Sequence, residues 1–380
     1  MPEIWIPYGD VEISVDINAE NLSGIFKIED DRFDIDDLNN NQVLTNIENK
    51  INILDICNSA GSLSIIEKLI EIMIKENNNH QIEMIVKKNQ KKNIEGLFKD
   101  KKLQYNIRFI EDLLNEEIIE QLNNKQTILL SNSSFDGLFG FNGGVISLSR
   151  ILNKEIIKDA FYDKEVNYPE PGIISNRTNI ILKEYREFSN IISIQIIENV
   201  MGINDCIIGN LEETYINSSE KLKSNILNIE NTFESCIISC DYKKINTLNE
   251  SLNGIWNTYK SIEKRGNIIL IAESRDGFGS EGLNKFTMNQ INVKDLIKKN
   301  EYVNGLENLI FLEKIQENHS IDIISTIPHH YIEKRLKFRH HNTVNSALSS
   351  IIRRKGKKVK VAIIPNANNM IIKHKQIKTI

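Results

Sequence analysis

The chain has 380 residues, with 47 Lys and Arg against 52 Asp and Glu and a formal net charge of −5. At 40% hydrophobic and 26% charged residues it has the composition of an ordinary folded protein, which excludes disorder, a collagen-like repeat and a disulfide scaffold; its mild acidity argues against a nucleic-acid partner. No apolar run reaches the roughly 20 residues of a membrane helix, Met1-Pro2-Glu3-Ile4-Trp5 lacks the layout of a signal peptide, and four scattered cysteines (Cys57, Cys206, Cys236, Cys240) make no disulfide framework, so the expected setting is the reduced cytoplasm, away from membranes.

In chain order, the turn Ile6-Pro7-Tyr8-Gly9-Asp10 precedes an alternating strand pattern over 11–17. A β-branched run over 51–56 is followed by helical spacing over 64–75, and strands are predicted at 81–86, 127–131, 190–198 and 205–209. A second series has strands at 235–239, 266–272, 321–325 and 359–364, with helices at 249–264, 293–300 and 307–317. Strands separated by helix-length segments imply βαβ units. The expected fold is therefore α/β: two α/β domains, 1–230 and 231–380, with mostly parallel sheets and an interdomain cleft, divided at the charged helical stretch 218–231. Asn is in excess at 49 residues, which weakens propensity arguments; the Asn runs 39–41 and 77–79 read as loop padding.

Two glycine-rich loops follow predicted strands, where open α/β sheets bind ligands. Phe135 to Gly144 carries Gly137, Gly140, Gly143 and Gly144, but no Lys follows Gly144 as in a phosphate-binding loop. Ser274 to Gly282 carries Arg275, which can hold a carboxylate or phosphate bidentately, with Asp276 and Glu281 able to anchor that guanidinium or ligand hydroxyls. An Arg–carboxylate pair that merely locks the loop is the structural alternative. The pairs His329-His330 and His340-His341 have no metal-ligand spacing and read as exposed helix residues, and Cys236 and Cys240 read as core. The basic run 353–358 reads as a solvated helix end. No metal site is predicted.

Together these stretches resemble the nickel-dependent lactate racemase family. Its PYG is similar to Pro7-Tyr8-Gly9, its HFFAGFSGGRKS to residues 136–147, its ARTGN to Asn176-Arg177-Thr178-Asn179, its ARDGHGGEG to residues 274–282, and its terminal VIPDG to residues 363–367. The resemblance implies two α/β domains with the site between them, and a nickel pincer nucleotide tethered to a lysine, with histidines that ligate nickel and exchange the substrate's proton. This sequence departs at those places. The anchoring lysine falls on Ile146 and the Arg before it on Val145; the histidines fall on Asp136, on Tyr162 and near Gln90-Lys91. The DHTRP motif falls on Cys57-Asn58-Ser59-Ala60-Gly61, without its Arg, and the QxxK pair falls near Gly254 and Asn257.

The resemblance thus implies a divergent member without standard nickel-pincer catalysis, which binds a small carboxylate or nucleotide in the cleft and whose cofactor is unknown. The competing reading is an active 2-hydroxy-acid racemase or epimerase in which Asp136, Tyr162 and Lys91 carry protons. A third is a non-catalytic structural or regulatory subunit. Asn58, Ser59, Asn142, Gly143, Gly144, Arg177, Arg275, Asp276 and Glu281 are the expected ligand contacts.

Overall fold

The computed structural model describes residues 3–375 apart from 29–31, 45–46, 58, 77–79, 100, 102, 164–168, 200–201 and 241–245. Asn58 and the Asn run 77–79 lie outside the described residues. The chain opens with the antiparallel hairpin β1 (Glu3–Tyr8) and β2 (Val11–Asp16), then β3 (Leu22–Ile25). It continues through β4 (Lys50–Asp55), α1 (Ala60–Glu76), β5 (Gln81–Val86), α2 (Lys91–Phe98), β6 (Gln104–Phe109), α3 (Asn115–Asn124) and β7 (Gln126–Asn132). A short hairpin of β8 (Ser134–Asp136) and β9 (Gly140–Asn142) leads into α4 (Gly144–Leu152), α5 (Lys154–Phe161) and α6 (Asn176–Tyr185). Next come β10 (Ile191–Asn199), β11 (Gly202–Gly209), α7 (Leu211–Lys223) and β12 (Ile226–Ile229). The second series is β13 (Phe233–Ser239), α8 (Leu248–Thr258), β14 (Ile262–Ile271), α9 (Glu281–Thr287), α10 (Val293–Lys299), α11 (Leu306–Gln316) and β15 (Ser320–Ile324). It ends with α12 (His329–Lys334), β16 (Arg339–His340), α13 (Val344–Lys355), β17 (Val361–Ile364) and β18 (Ile371–His374).

Two six-stranded sheets result. The first has the order β11-β10-β7-β4-β5-β6 and is parallel except for β11. The second, β16-β15-β14-β13-β17-β3, is parallel throughout. Central strands read as unbroken apolar runs because helices cover both faces. Ile128, Leu129 and Leu130 in β7, and Ile268, Ile269 and Leu270 in β14, are wholly buried. Burying a Leu or Ile contributes roughly 2–3 kcal/mol, so each of these strands contributes substantially to the core.

The strand series at 51–56, 81–86, 127–131, 190–198, 235–239, 266–272, 321–325 and 359–364 is present as β4, β5, β7, β10, β13, β14, β15 and β17. Two expected helices end early. The helix predicted over 249–264 stops at Thr258, and the chain is extended again from Ile262, where β14 begins. The helical stretch predicted at 218–231 stops at Lys223, since Ile226–Ile229 pair in parallel with Ile371–His374. The first residues also pack with the second sheet: β3 extends it beside β17, and Ile4, Ile6, Val15 and Ile17 share a core with Ile237, Ile269 and Ile363.

Trp256 on α8 connects the two halves. Its indole is stacked on Phe311 with centroids 3.7 Å apart, and its Nε1 donates to Asn308 Oδ1 at 2.7 Å. Gly137, in the β8–β9 loop, lies flat against the same ring, where a Cβ would overlap it. Trp256→Ala empties this space and takes the donor from Asn308 Oδ1, so it should cost about 3–5 kcal/mol, read from the urea midpoint.

Candidate functional site

Parallel sheets open a crevice where the strand order reverses, at the C-terminal ends of the two strands involved. In the first sheet this is between β4 and β7, and in the second between β13 and β17. The α8 helix after β13 and the loop after β17 line one cavity of about 220 Å³ together with the residues that follow β4 and β7. Ile56 and Cys57 follow β4, Lys87 follows β5, Asn132 to Phe135 run from the end of β7, and Glu198 is near the end of β10. Glu250 and Asn253 come from α8, and Asn368 and Asn369 from the loop after β17. Asn142 and Ser147 complete the wall.

Buried polar groups set the positions of these residues. Asp55, wholly buried at the end of β4, accepts from the Cys57 N–H, Ser62 Oγ and Gln90 Nε2, each at 2.9 Å. Asn257 Nδ2 donates to the carbonyls of Ala367 and Asn368 at 2.9 and 3.1 Å and so holds the loop after β17. Asn369 Nδ2 donates to the Glu198 carbonyl at 3.0 Å, joining that loop to β10 across the cleft. Burial, with Asp55 and Glu198 nearby, pushes the Cys57 thiol well above its usual range. It therefore stays protonated at neutral pH and is a poor nucleophile.

The structure does not bring Asp136, Tyr162 and Lys91 together, and none of them lines this cavity. Asp136 Oδ1 accepts from the N–H groups of Leu138 and Phe139, and its Oδ2 pairs with Arg150 at 3.1 Å. Arg150 also pairs with Glu307 at 2.9 Å, and these carboxylates hold its pKa above the ordinary value against the effect of burial. The Tyr162 hydroxyl donates to the Glu301 carbonyl at 2.8 Å, and burial raises its pKa. Lys91 is exposed and lies 3.8 Å from Glu95.

Among the expected ligand contacts, Asn142 lines the cavity and accepts from Ser147 Oγ at 3.0 Å, with Gly143 and Gly144 beside it at the start of α4. Ser59 is buried and caps α1, its Oγ accepting the Ser62 N–H at 3.1 Å. Arg177 is buried on α6 and donates to the Asp163 carbonyl at 3.3 Å. Arg275 pairs with Asp10 of the opening turn, so the carboxylate that locks this loop is Asp10 rather than Asp276 or Glu281. Asp276 is exposed, and Glu281 pairs with Lys285 and lines a separate 150 Å³ hollow with Arg150 and Tyr302.

His329 and His330 are exposed on α12, as expected, but His340 and His341 are half-buried off any helix, where His341 Nε2 hydrogen-bonds Asp322 Oδ1 at 2.7 Å. Cys236 and Cys240 are buried, and all four cysteines are free. Lys87, Asn132, Glu198, Glu250, Asn253, Asn368 and Asn369 were not anticipated. Most of them sit at or just past the C-terminal end of a predicted strand, and that placement is the signal that marks them.

Residues 246–372 match the family model of the lactate racemase C-terminal domain. The structure of the lactate racemase apoprotein from Thermoanaerobacterium thermosaccharolyticum matches with a TM-score of 0.74 at 15% identity, over 98% of this chain and 100% of that one. Residues 246–372 are therefore similar to a lactate racemase C-terminal domain, and the chain as a whole has the fold of that apoprotein. No curated protein matches it. No helix among the described residues is long and apolar enough to cross a membrane.

The family's nickel pincer nucleotide does not fit the residues present. Ile146, where the resemblance places the anchoring lysine, is wholly buried in the hydrophobic core with Val145 beside it, and no histidine among the described residues lines the cavity. No group of His, Cys, Asp and Glu among the described residues is arranged to hold a metal ion. Iodoacetamide should modify Cys57 far more slowly than a free thiol at pH 8, as read by peptide mapping. Asp55→Asn removes one of the charges that raise this pKa and should speed the reaction.

Proposed function

We propose that this protein is a divergent lactate-racemase-like protein whose cleft binds a small polar molecule without covalent nickel-pincer chemistry. The observation that carries this reading is the shared cavity at the two strand-order reversals, walled by polar side chains from both sheets. The burial of Ile146 supports it: a side chain in the core offers the cleft no amine for a covalent tether. Two units divided near residue 230, a cytoplasmic setting and the absence of a nucleic-acid partner belong to the same reading.

The geometry favours this over a 2-hydroxy-acid racemase that uses altered proton carriers. Asp136 is engaged by Arg150 and two backbone donors, the Tyr162 hydroxyl by Glu301, and Lys91 lies outside the cavity wall. Proton carriers must converge within hydrogen-bond reach of one substrate position.

Protein purified from its own host should show the intact mass of the unmodified chain and no stoichiometric nickel. Under native mass spectrometry it should retain a small non-covalent ligand, which Asn253→Trp, by filling the cavity, should abolish. Stoichiometric nickel with a covalent adduct would reject the proposal, and polarimetric turnover of a 2-hydroxy acid would favour the racemase.

A further inference from the structure

A strand on the rim of a sheet offers unpaired backbone N–H and C=O groups, and folded proteins blunt such rims with short strands, Pro, Lys, bulges or a covering segment. Among the described residues, three of the four rims of the two large sheets are blunted in this way. β3 and β16 span only four and two residues. β11 is bulged against β10 between Ile197 and Glu198, and the Phe33 N–H donates to its Ile203 carbonyl at 2.9 Å, so another segment lies along it.

β6 is different. Its six residues, Gln104-Tyr105-Asn106-Ile107-Arg108-Phe109, include no Pro or Lys, and they pair with β5 from Gln81↔Gln104 to Val86↔Phe109 without a shift. No described strand pairs with the outer side of β6. Gln104, Tyr105 and Asn106 are exposed, Tyr105 by 41% although its ring stacks on Phe98.

Charge says what can cover this rim. In the sequence, residues 99–102 just before β6 hold three Lys against one Asp, whereas residues 111–117 just after it hold Glu111, Asp112, Glu116 and Glu117 and no base. Lys88 pairs with Asp112 and Arg108 with Glu117, which still leaves an acidic excess at that end. The rim is therefore basic where the strand starts and acidic where it stops. An antiparallel second copy sets each end against its opposite, and a two-fold axis through the sheet produces that arrangement with the same patch on both copies. Residues opposite one another in antiparallel strands share a face. Centred on Ile107, the pairing puts Tyr105 opposite the second copy's Phe109, and Asn106 opposite its Arg108, so ring meets ring and amide meets cation.

We infer that β6 is a homodimer interface: two copies of this chain join through antiparallel β6 strands, Ile107 facing its own counterpart, and their two six-stranded sheets continue into one.

Sedimentation equilibrium of the full chain in the micromolar range tests this, with the wild type, Asn106→Lys and Asn106→Glu. Asn106 is exposed, so all three proteins should give the same far-UV circular dichroism spectrum. The wild type should be a dimer. Asn106→Lys sets an ammonium against Arg108 at two symmetric places and should weaken the dimer about tenfold or more. Asn106→Glu sets a carboxylate there and should dimerise at least as tightly as the wild type. A defect of folding or of bulk would affect both variants alike. A monomeric wild type overturns the inference, as do two variants that dimerise equally well.

Discussion

Parallel pairing is the constraint from which the rest follows. Strands that run the same way cannot be joined by tight turns, so each chain segment leaves its sheet at the C-terminal edge and returns through a crossover. In both sheets the order reverses once, and the two reversals contribute to one cavity. The polar residues of that cavity are there because the backbone must leave the sheet there. Asp55 makes the exit from β4 rigid: its buried carboxylate engages three donors, and those hydrogen bonds offset the cost of taking the charge out of water.

Contacts of different chemistry join the sheets. Trp256 against Gly137 is apolar, Asn369 to Glu198 is a single hydrogen bond, and Arg150 between Asp136 and Glu307 is ionic. The Arg150 contact is the one most exposed to damage by substitution. A buried ion pair adds little over apolar packing, but loss of one partner strands a charge away from water and costs several kcal/mol. Arg150 therefore fixes the register between α4 and α11, and the Asp136 carboxylate, which motif comparison marks as a proton carrier, is committed to that register.

The fold was legible because central parallel strands are continuous β-branched runs, and Ile51, Ile53, Ile268 and Ile363 need no alternation to be recognised. Strands at the margins were not. β6 buries none of its residues, and β3 is half-exposed, so neither carries a periodic signal. The site was harder to read for two reasons. Residue comparison pointed to the loops around Asp136 and Arg275, and the fold uses both as locks, through Arg150 and Asp10. The cavity wall itself is rich in Asn, as is the whole chain, so Asn132, Asn253, Asn368 and Asn369 do not stand out by type. Their position past the strand ends distinguishes them.

The course of β3 has a consequence for how the polypeptide can be divided. Leu22–Ile25 shield the outer side of β17, whose four residues, Val361 to Ile364, are all buried. A fragment cut at residue 231 would leave that Val-Ala-Ile-Ile strand as a bare sheet edge, with unpaired backbone groups and apolar side chains open to any neighbouring chain. Sticky edges of this kind drive edge-to-edge aggregation. The opening residues thus act as an intramolecular guard for the C-terminal half, and a soluble version of that half would have to carry residues 3–25 with it.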